Sequence, residues 1–400
     1  MPGLLAEPGR DGQGDGQENK TVRLRKKLKV LFLPCWYPSE TSDVSGIFVK
    51  EHAKAAQLYD EVAVLYGEPA PCRQGLFTFW SGLEDGLPTF RFCYGPKGIS
   101  RPRLPQYLAA AMLAFKKVTG IWGTPDVIHA QEPASAFAAL LLRIVGGIPY
   151  VVSEHWTGFS SRTVKLPNII LSRLAFSHAS RILGANHEFP ADFQFYSIKC
   201  DFQWLPNCID STLFYSTAQK RDLIVLHCSL FDAKKRVPDL IEAFARCQPE
   251  FPGARLELIG DGPERAAAEQ LAHRVLRSGS FRFHGMQSKQ FIAEAMRKAR
   301  VFVLPSSMET FGVVLIEAMA CGTPVIATKV GGVASVVGAD QGILINPGDI
   351  TALAKAMKAV LSGEKNFDSG KIANYAAENF SREAVSRILH EEHLRAIKCK

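Results

Sequence analysis

Cysteine pairs at metal-binding spacing are missing from this 400-residue chain. Its nine cysteines are scattered, with no CxxC and no Cys/His cluster. That argues against a zinc centre or a disulfide framework and for free thiols in a reducing compartment. An Asp-x-Asp pair, the usual way to hold a divalent cation against a diphosphate, is absent too, so no metal and no other cofactor is expected. Long hydrophobic runs are scarce. The longest, AFAALLLRIVGGIPYVV, is interrupted by Arg143 and broken by Gly146, Gly147 and Pro149, too punctuated for a membrane span. The opening MPGLLAEPGRDGQGDGQENK lacks the apolar core of a signal peptide, and a cytoplasmic protein is expected. The first apolar run leads into PCWYPSETSDVSGIF rather than a GxGxxG turn, which disfavours an NAD-dependent oxidoreductase.

What is present fits a globular protein: 47% hydrophobic and 22% charged residues, on a chain long enough for two domains. The net charge of +8 is concentrated in KTVRLRKKLK (Lys20–Lys29), six of ten residues being basic. Two readings stay open. One is a solvated arm. The other is attraction to an anionic membrane surface, worth about 1 kcal/mol per basic residue near the headgroups. No nucleic-acid-binding module accompanies the charge, so nucleic acid is not an expected partner.

After a flexible leader (1–27), LKVLFLP reads as a fully buried parallel strand. Helical and strand patterns then alternate through PYVVSEH and FQWLP, which argues for doubly wound α/β sheets. LPNCIDSTLFYSTAQKRD is polar and turn-rich, and the alternation restarts at LIVLHCS. The pattern predicts two α/β domains, 28–210 and 211–380, and a last helix over 381–400 that packs back across the first. Asp349 and Gly363 are placed to cap the helix ITALAKAMKAVLSG.

METFGVVLIEAMACGTPVIAT (Met308–Thr328) carries the chemistry. Thr310 and Gly312 suit a helix start, which leaves Glu309 in the loop after the strand VFVLP, at a carboxyl end where open α/β sheets bind ligands. The N–H groups of Phe311, Gly312 and Val313 then form an anion site, most naturally for phosphate. Glu317 lies one turn deeper in an apolar helix, where a carboxylate needs a partner. Either an internal Lys or Arg, or two donating hydroxyls such as a ribose diol, would serve.

The segment SSMETFGVVLIEAMACGTPVIATKVGG resembles the signature of retaining glycosyltransferases of family four. GIFVKEHAKA, PDVIHAQ, SEHWTGF, LPNCID, KKRVPDLIEAFA, LIGDGPER, FHG and INPGD match in order, so the resemblance spans roughly residues 29–398. It implies the GT-B fold: two Rossmann-like domains facing a cleft, the first on the acceptor side and the second holding the donor. The version PCWYPSE…SGIFVKEHA is most similar to bacterial enzymes of surface-polysaccharide and teichuronic-acid-type synthesis.

By that resemblance Glu317 would hold the ribose hydroxyls of a UDP- or GDP-sugar donor and Glu309 the transferred sugar. Phe311, Gly312 and Val313 would lie near the sugar and diphosphate. Lys235 would offset the diphosphate charge, with Lys234 an alternative register. Gly46 would let the first loop approach the phosphates, Met286 would border the base, and His155 would face the sugar from the first domain. Transfer would proceed with retention, without metal, to a saccharide or lipid-linked acceptor, from a cytoplasmic protein peripheral to the inner face of the cell membrane. The family usually has Gly-Arg where this chain has Cys228 and Ser229; Cys208 and Asn186 also differ from the common glycine and serine. A degenerate, non-catalytic nucleotide-sugar-binding or scaffold protein is the alternative.

Overall fold

The computed structural model describes residues 27–39, 45–68, 76–95 and 104–398. The leader expected over 1–27 lies outside them except for Lys27, as does the basic run up to residue 26.

The first sheet contains β1 (Lys29–Leu33), β2 (Glu61–Glu68), β3 (Phe77–Glu84), β4 (Leu87–Tyr94), β5 (Val127–Gln131), β6 (Tyr150–Glu154), β7 (Ile182–Gly184) and β8 (Phe202–Trp204). Its spatial order is β3-β4-β2-β1-β5-β6-β7-β8, parallel except for β3. The helices are α1 (Ile47–Ala56), α2 (Leu104–Ile121), α3 (Glu132–Gly146), α4 (Thr157–Ser160), α5 (Leu166–Ser177) and α6 (Phe189–Phe195). β1 is apolar throughout because both its faces are covered. Leu31 and Leu33 enter a core with Ala111 of α2 and Ala139 of α3. Val30 and Phe32 enter a second core with Val49 and Ala53 of α1.

The β3–β4 hairpin is absent from the sequence expectations. It turns at Asp85 and Gly86, both with positive φ (48° and 83°), as a two-residue hairpin loop requires. Arg91 on β4 ties it down, reaching Glu84 at 2.7 Å and Glu68 at 2.6 Å.

The second sheet contains β9 (Ile224–Cys228), β10 (Arg255–Ile259), β11 (Phe281–Phe283), β12 (Val301–Leu304), β13 (Val325–Thr328) and β14 (Gly342–Ile345). Its order is β11-β10-β9-β12-β13-β14, all parallel. This is the dinucleotide-fold order, with its reversal point between β9 and β12. The helices are α7 (Val237–Ala245), α8 (Arg265–Val275), α9 (Lys289–Lys298), α10 (Val313–Ala320), α11 (Val333–Val336), α12 (Ile350–Ser362), α13 (Ser369–Phe380) and α14 (Arg382–Lys398). Asp349 and Gly363 cap α12 as expected; the Asp349 carboxylate accepts from Ala352 N–H at 2.8 Å.

The chain passes between the sheets at two adjacent places, where Ile209 N–H donates to Phe380 carbonyl at 2.9 Å. α14 then crosses back, as expected, and Val385, Leu389 and Ala396 join the core beneath α1. Arg382 at its start pairs with Glu51 of α1 and, at 2.8 Å, with Asp210. Among the described residues no helix is long and apolar enough to cross a membrane.

Candidate active site

The second sheet's reversal point gathers most of the expected residues. β9 delivers Cys228 and Ser229, and a single 3-10 turn follows over Ala233–Lys235, capped by Asp232. β12 delivers the Ser306–Glu309 loop. The two loops are knitted together: Ser307 N–H donates to the Lys234 carbonyl at 2.7 Å. Lys235 then reaches Glu309, its Nζ 2.6 Å from Oε1, and the Ser306 hydroxyl donates to the same oxygen at 2.8 Å. Lys234 is exposed, whereas Lys235 is half-buried. The geometry thus favours Lys235 in the ambiguous register.

α10 begins just beyond. Gly312 is its N-cap at φ 81°, a left-handed conformation that favours glycine. Phe311 anchors the turn, 2% exposed and edge-on to Phe380 at 5.9 Å. The N–H groups of Phe311, Gly312 and Val313 donate to no acceptor among the described residues, which leaves a positive, unsatisfied helix end. Gly332 N–H, donating to Thr310 carbonyl at 3.1 Å, braces this loop from the β13 side.

Glu317 sits one turn along α10. It retains partial solvent contact, but desolvation still pushes its carboxyl up to about 7; Lys289 opposes the rise and Glu51 adds to it. No hydrogen bond or ion pair among the described residues satisfies it. Its charge also helps raise the neighbouring Cys228 thiol, which burial pushes up to about 12. Of the two partners open from sequence, the internal ion pair is therefore not formed.

Sequence reasoning missed His227. Its buried ring has Nδ1 2.8 Å from the Val303 carbonyl and Nε2 2.7 Å from the Ser229 hydroxyl. Because a carbonyl can only accept, Nδ1 carries the proton and Ser229 donates to Nε2. Desolvation lowers the ring to about 4, with nearby Lys235 contributing, so the imidazole is neutral. Ser229 thus turns its proton inward at the position where an arginine was expected by resemblance. The arginine nearest in sequence, Arg236, is committed to Asp239 at 2.6 Å. Met286 follows β11 and is 61% exposed.

The first-sheet candidates are placed separately. Gly46, at φ 68°, precedes α1, and a Cβ there would run into the Trp36 backbone carbonyl; the glycine is required by the chain itself before any ligand is considered. His155, after β6, packs against Phe48 at 4.5 Å and His52 at 5.7 Å. Burial holds its ring well below the ordinary histidine range, and Nε2 has no partner. No hydrogen bond or ion pair among the described residues joins His155 to Glu309.

Two Rossmann-like sheets, with a phosphate-type helix end and paired charges at one reversal point, define a GT-B glycosyltransferase. Residues 211–379 match the family model described as glycosyl transferases group 1, and residues 54–198 match that of a glycosyl transferase 4-like domain. The chain belongs to the family-four type of these glycosyltransferases.

It is 36% identical over 257 residues to the N-acetyl-alpha-D-glucosaminyl L-malate synthase of Bacillus anthracis, covering 60% of this chain and 66% of that protein. It is 26% identical over 362 residues to TuaC of Bacillus subtilis (strain 168), ascribed to teichuronic acid biosynthesis, with 82% and 88% covered. Among solved structures, sucrose-phosphate synthase from Thermosynechococcus elongatus superposes with a TM-score of 0.73 at 21% identity, over 94% of this chain and all of that one. Anabaena Alr3699/HepE in complex with UDP and glucose gives 0.70 at 21% identity, over 91% and 98%. These two likenesses establish the fold.

Proposed function

We propose that this protein is a retaining, metal-independent glycosyltransferase. It moves a sugar from a UDP- or GDP-sugar to a saccharide acceptor, lipid-linked at the inner face of the cell membrane, in synthesis of cell-surface polysaccharide or glycoconjugate. The observation that carries this reading is the Lys235–Glu309 pair beside the open N-terminus of α10, with Glu317 unpartnered one turn deeper. A nucleoside diphosphate sugar matches that arrangement: its ribose diol donates to Glu317, its phosphates accept from Phe311–Val313, and its sugar hydroxyls donate to Glu309.

Charge builds on the diphosphate as the glycosidic bond breaks. Lys235 and the helix N–H groups stabilise it without reorganisation, which is where a preorganised site contributes most. The departing phosphate oxygen takes the acceptor proton on the face where the acceptor attacks, so the anomeric configuration is kept. His155 would border this region from the first domain once the two domains approach, which would also exclude water and limit donor hydrolysis.

The test is proton NMR of the product anomer, with UDP- and GDP-hexoses as donors in EDTA. The α-anomer forming first from an α-linked donor supports the reading; the β-anomer, or loss of turnover in EDTA, contradicts it. One observation favours the second reading, a non-catalytic nucleotide-sugar-binding protein: Ser229 stands where an arginine is usual. Nucleotide binding without any turnover would select it.

A further inference from the structure

α14 leaves the second domain and lies against α1, β5 and β6 of the first. Under it runs a buried row of polar side chains that the donor site does not use. Ser153 of β6, His129 of β5 and His393 of α14 are fully buried, and Asp60, just ahead of β2, is 2% exposed. The Ser153 hydroxyl lies 2.6 Å from His129 Nε2, His129 Nδ1 lies 3.0 Å from His393 Nε2, and His393 Nδ1 lies 3.5 Å from Asp60. His390, one turn back on α14, reaches the other Asp60 oxygen at 2.8 Å and stacks on Tyr59. Phe32 closes the row from the side, stacked on His129 at 4.5 Å. α13, which also touches α14, adds no hydrogen bond or ion pair to the row among the described residues.

The direction of each bond follows from the ends. A carboxylate only accepts, so His393 Nδ1 carries the proton towards Asp60 and its Nε2 accepts. His129 then donates from Nδ1 and accepts at Nε2 from the Ser153 hydroxyl. Each ring holds one proton, and a second has no place. On His393 Nε2 it would meet the N–H of His129, donor against donor. On His129 Nε2 it would turn the Ser153 proton away, and that hydroxyl has no other hydrogen bond among the described residues. Burial lowers both rings from the ordinary histidine range. His393, His52 and His155 add to the effect at His129; at His393, Asp60 opposes it and His390 adds to it.

We propose that α14 is a proton-released clasp: mild acid detaches it from the first sheet while both sheets stay folded. α14 supplies no strand to either sheet, so its departure breaks no strand pairing. At neutral pH the apolar residues Val385, Leu389 and Ala396 hold it down together with the ordered row. Once detached, the two rings meet water and take protons below about pH 6.5, which the docked state does not. The docking they contribute is therefore complete above that pH and is lost as pH falls below it. Glu392, 3.4 Å from Arg181, works the other way, because burial raises its carboxyl and the docked state retains its proton. One carboxyl is set against two histidines, so release prevails. Arg382, bound to Glu51 and Asp210, keeps its charge and tethers the start of the helix. The consequence is a pair of domains whose mutual placement loosens in mild acid.

The experiment is amide hydrogen exchange of the full chain at pH 7.5 and 5.5, each rate divided by its intrinsic rate to give an opening constant. Amides of residues 388–396 report α14, and those of β5 and β12 report the two sheets. A detached helix of this length is marginal in water and exchanges. The two histidines contribute up to about tenfold each, of which Glu392 offsets a part, so the α14 opening constant should rise at least about tenfold on acidification. β5 and β12 should change less than about threefold. A smaller rise in α14, or an equal rise in all three elements, would overturn the proposal. His129→Gln combined with His393→Gln removes the titrating rings, and the rise in the folded double variant should drop below about threefold. A rise there as large as in the wild type would place the protons elsewhere and overturn it too. If the double variant does not fold, the comparison of the three elements in the wild type decides.

Discussion

The Lys235 ammonium lies 2.6 Å from the Glu309 carboxylate, and the two arrive from different strands, β9 and β12, of one sheet. The cation proposed for the diphosphate and the acid proposed for the sugar are thus engaged with each other. A donor that bridges the site would turn Lys235 to phosphate and release the Glu309 oxygens to sugar hydroxyls. Each charge keeps a partner throughout, so neither is stranded when the nucleotide leaves.

Lys235→Met removes the cation paired with Glu309, and UDP affinity should fall about tenfold to a hundredfold. Lys234→Met, at an exposed side chain, should change it by less than about threefold. Isothermal titration of both variants checks the contrast, and equal losses would place the diphosphate elsewhere.

Ser229→Arg restores a guanidinium at the end of β9. Because Ser229 now only donates to His227, its loss costs one hydrogen bond, while an added cation facing phosphate should tighten UDP binding about tenfold. Calorimetry of the single variant is sufficient. No gain would mean that this position does not face the diphosphate.

Glu317 makes the apo protein pH-sensitive. Its folded pKa, about 7, is above the ordinary 4.5, so between those values the folded state retains a proton that the unfolded chain has released. Stability contributed by the protonated acid is full below pH 4.5 and is lost as pH rises through 7. Glu317→Gln should therefore match the wild type at pH 5 and exceed it at pH 8 by on the order of 2 kcal/mol. Urea unfolding at the two pH values checks this, and equal differences at both would contradict it.

Arg382 holds Glu51 and Asp210 where the last helix meets the chain crossing. Arg382→Met leaves two part-buried carboxylates without their cation and should destabilise by about 2–4 kcal/mol. Thermal unfolding reads it directly; a change below about 0.5 kcal/mol would mean the pairs are solvent-screened.

How much of this was legible in the sequence depended on the length scale of the signal. β1 and β12 announce themselves as unbroken apolar runs because both faces are buried, and Asp349 and Gly363 mark α12 because caps are local chemistry. The β3–β4 hairpin also carried a signal, Asp85-Gly86 between aromatic runs, which an expectation of helix–strand alternation passes over. α13, with Asp368 accepting from the N–H groups of Gly370 and Lys371, was missed for the same reason.

At the site, Glu309 and Glu317 were legible through a long motif, and Lys235, with Lys234 as an alternative register, through the resemblance of a separate segment. His227 and, away from the site, the His129–His393 pair were not, since their meaning comes from neighbours 76 and 264 positions away in the chain. A histidine inside a strand reads the same from sequence whether it is core or scaffold. For Gly46, the resemblance implied approach to a phosphate, and the structure adds a more immediate cause in the Trp36 backbone.

Calorimetric titration of the purified protein with UDP, GDP, UDP-glucose, UDP-N-acetylglucosamine and GDP-mannose in EDTA, with Glu317→Ala as control, tests the donor site most directly. The account predicts that one nucleotide family binds with the metal chelated, and that Glu317→Ala abolishes the binding while remaining folded. Absence of binding by every nucleotide, or undiminished binding to Glu317→Ala, would contradict it.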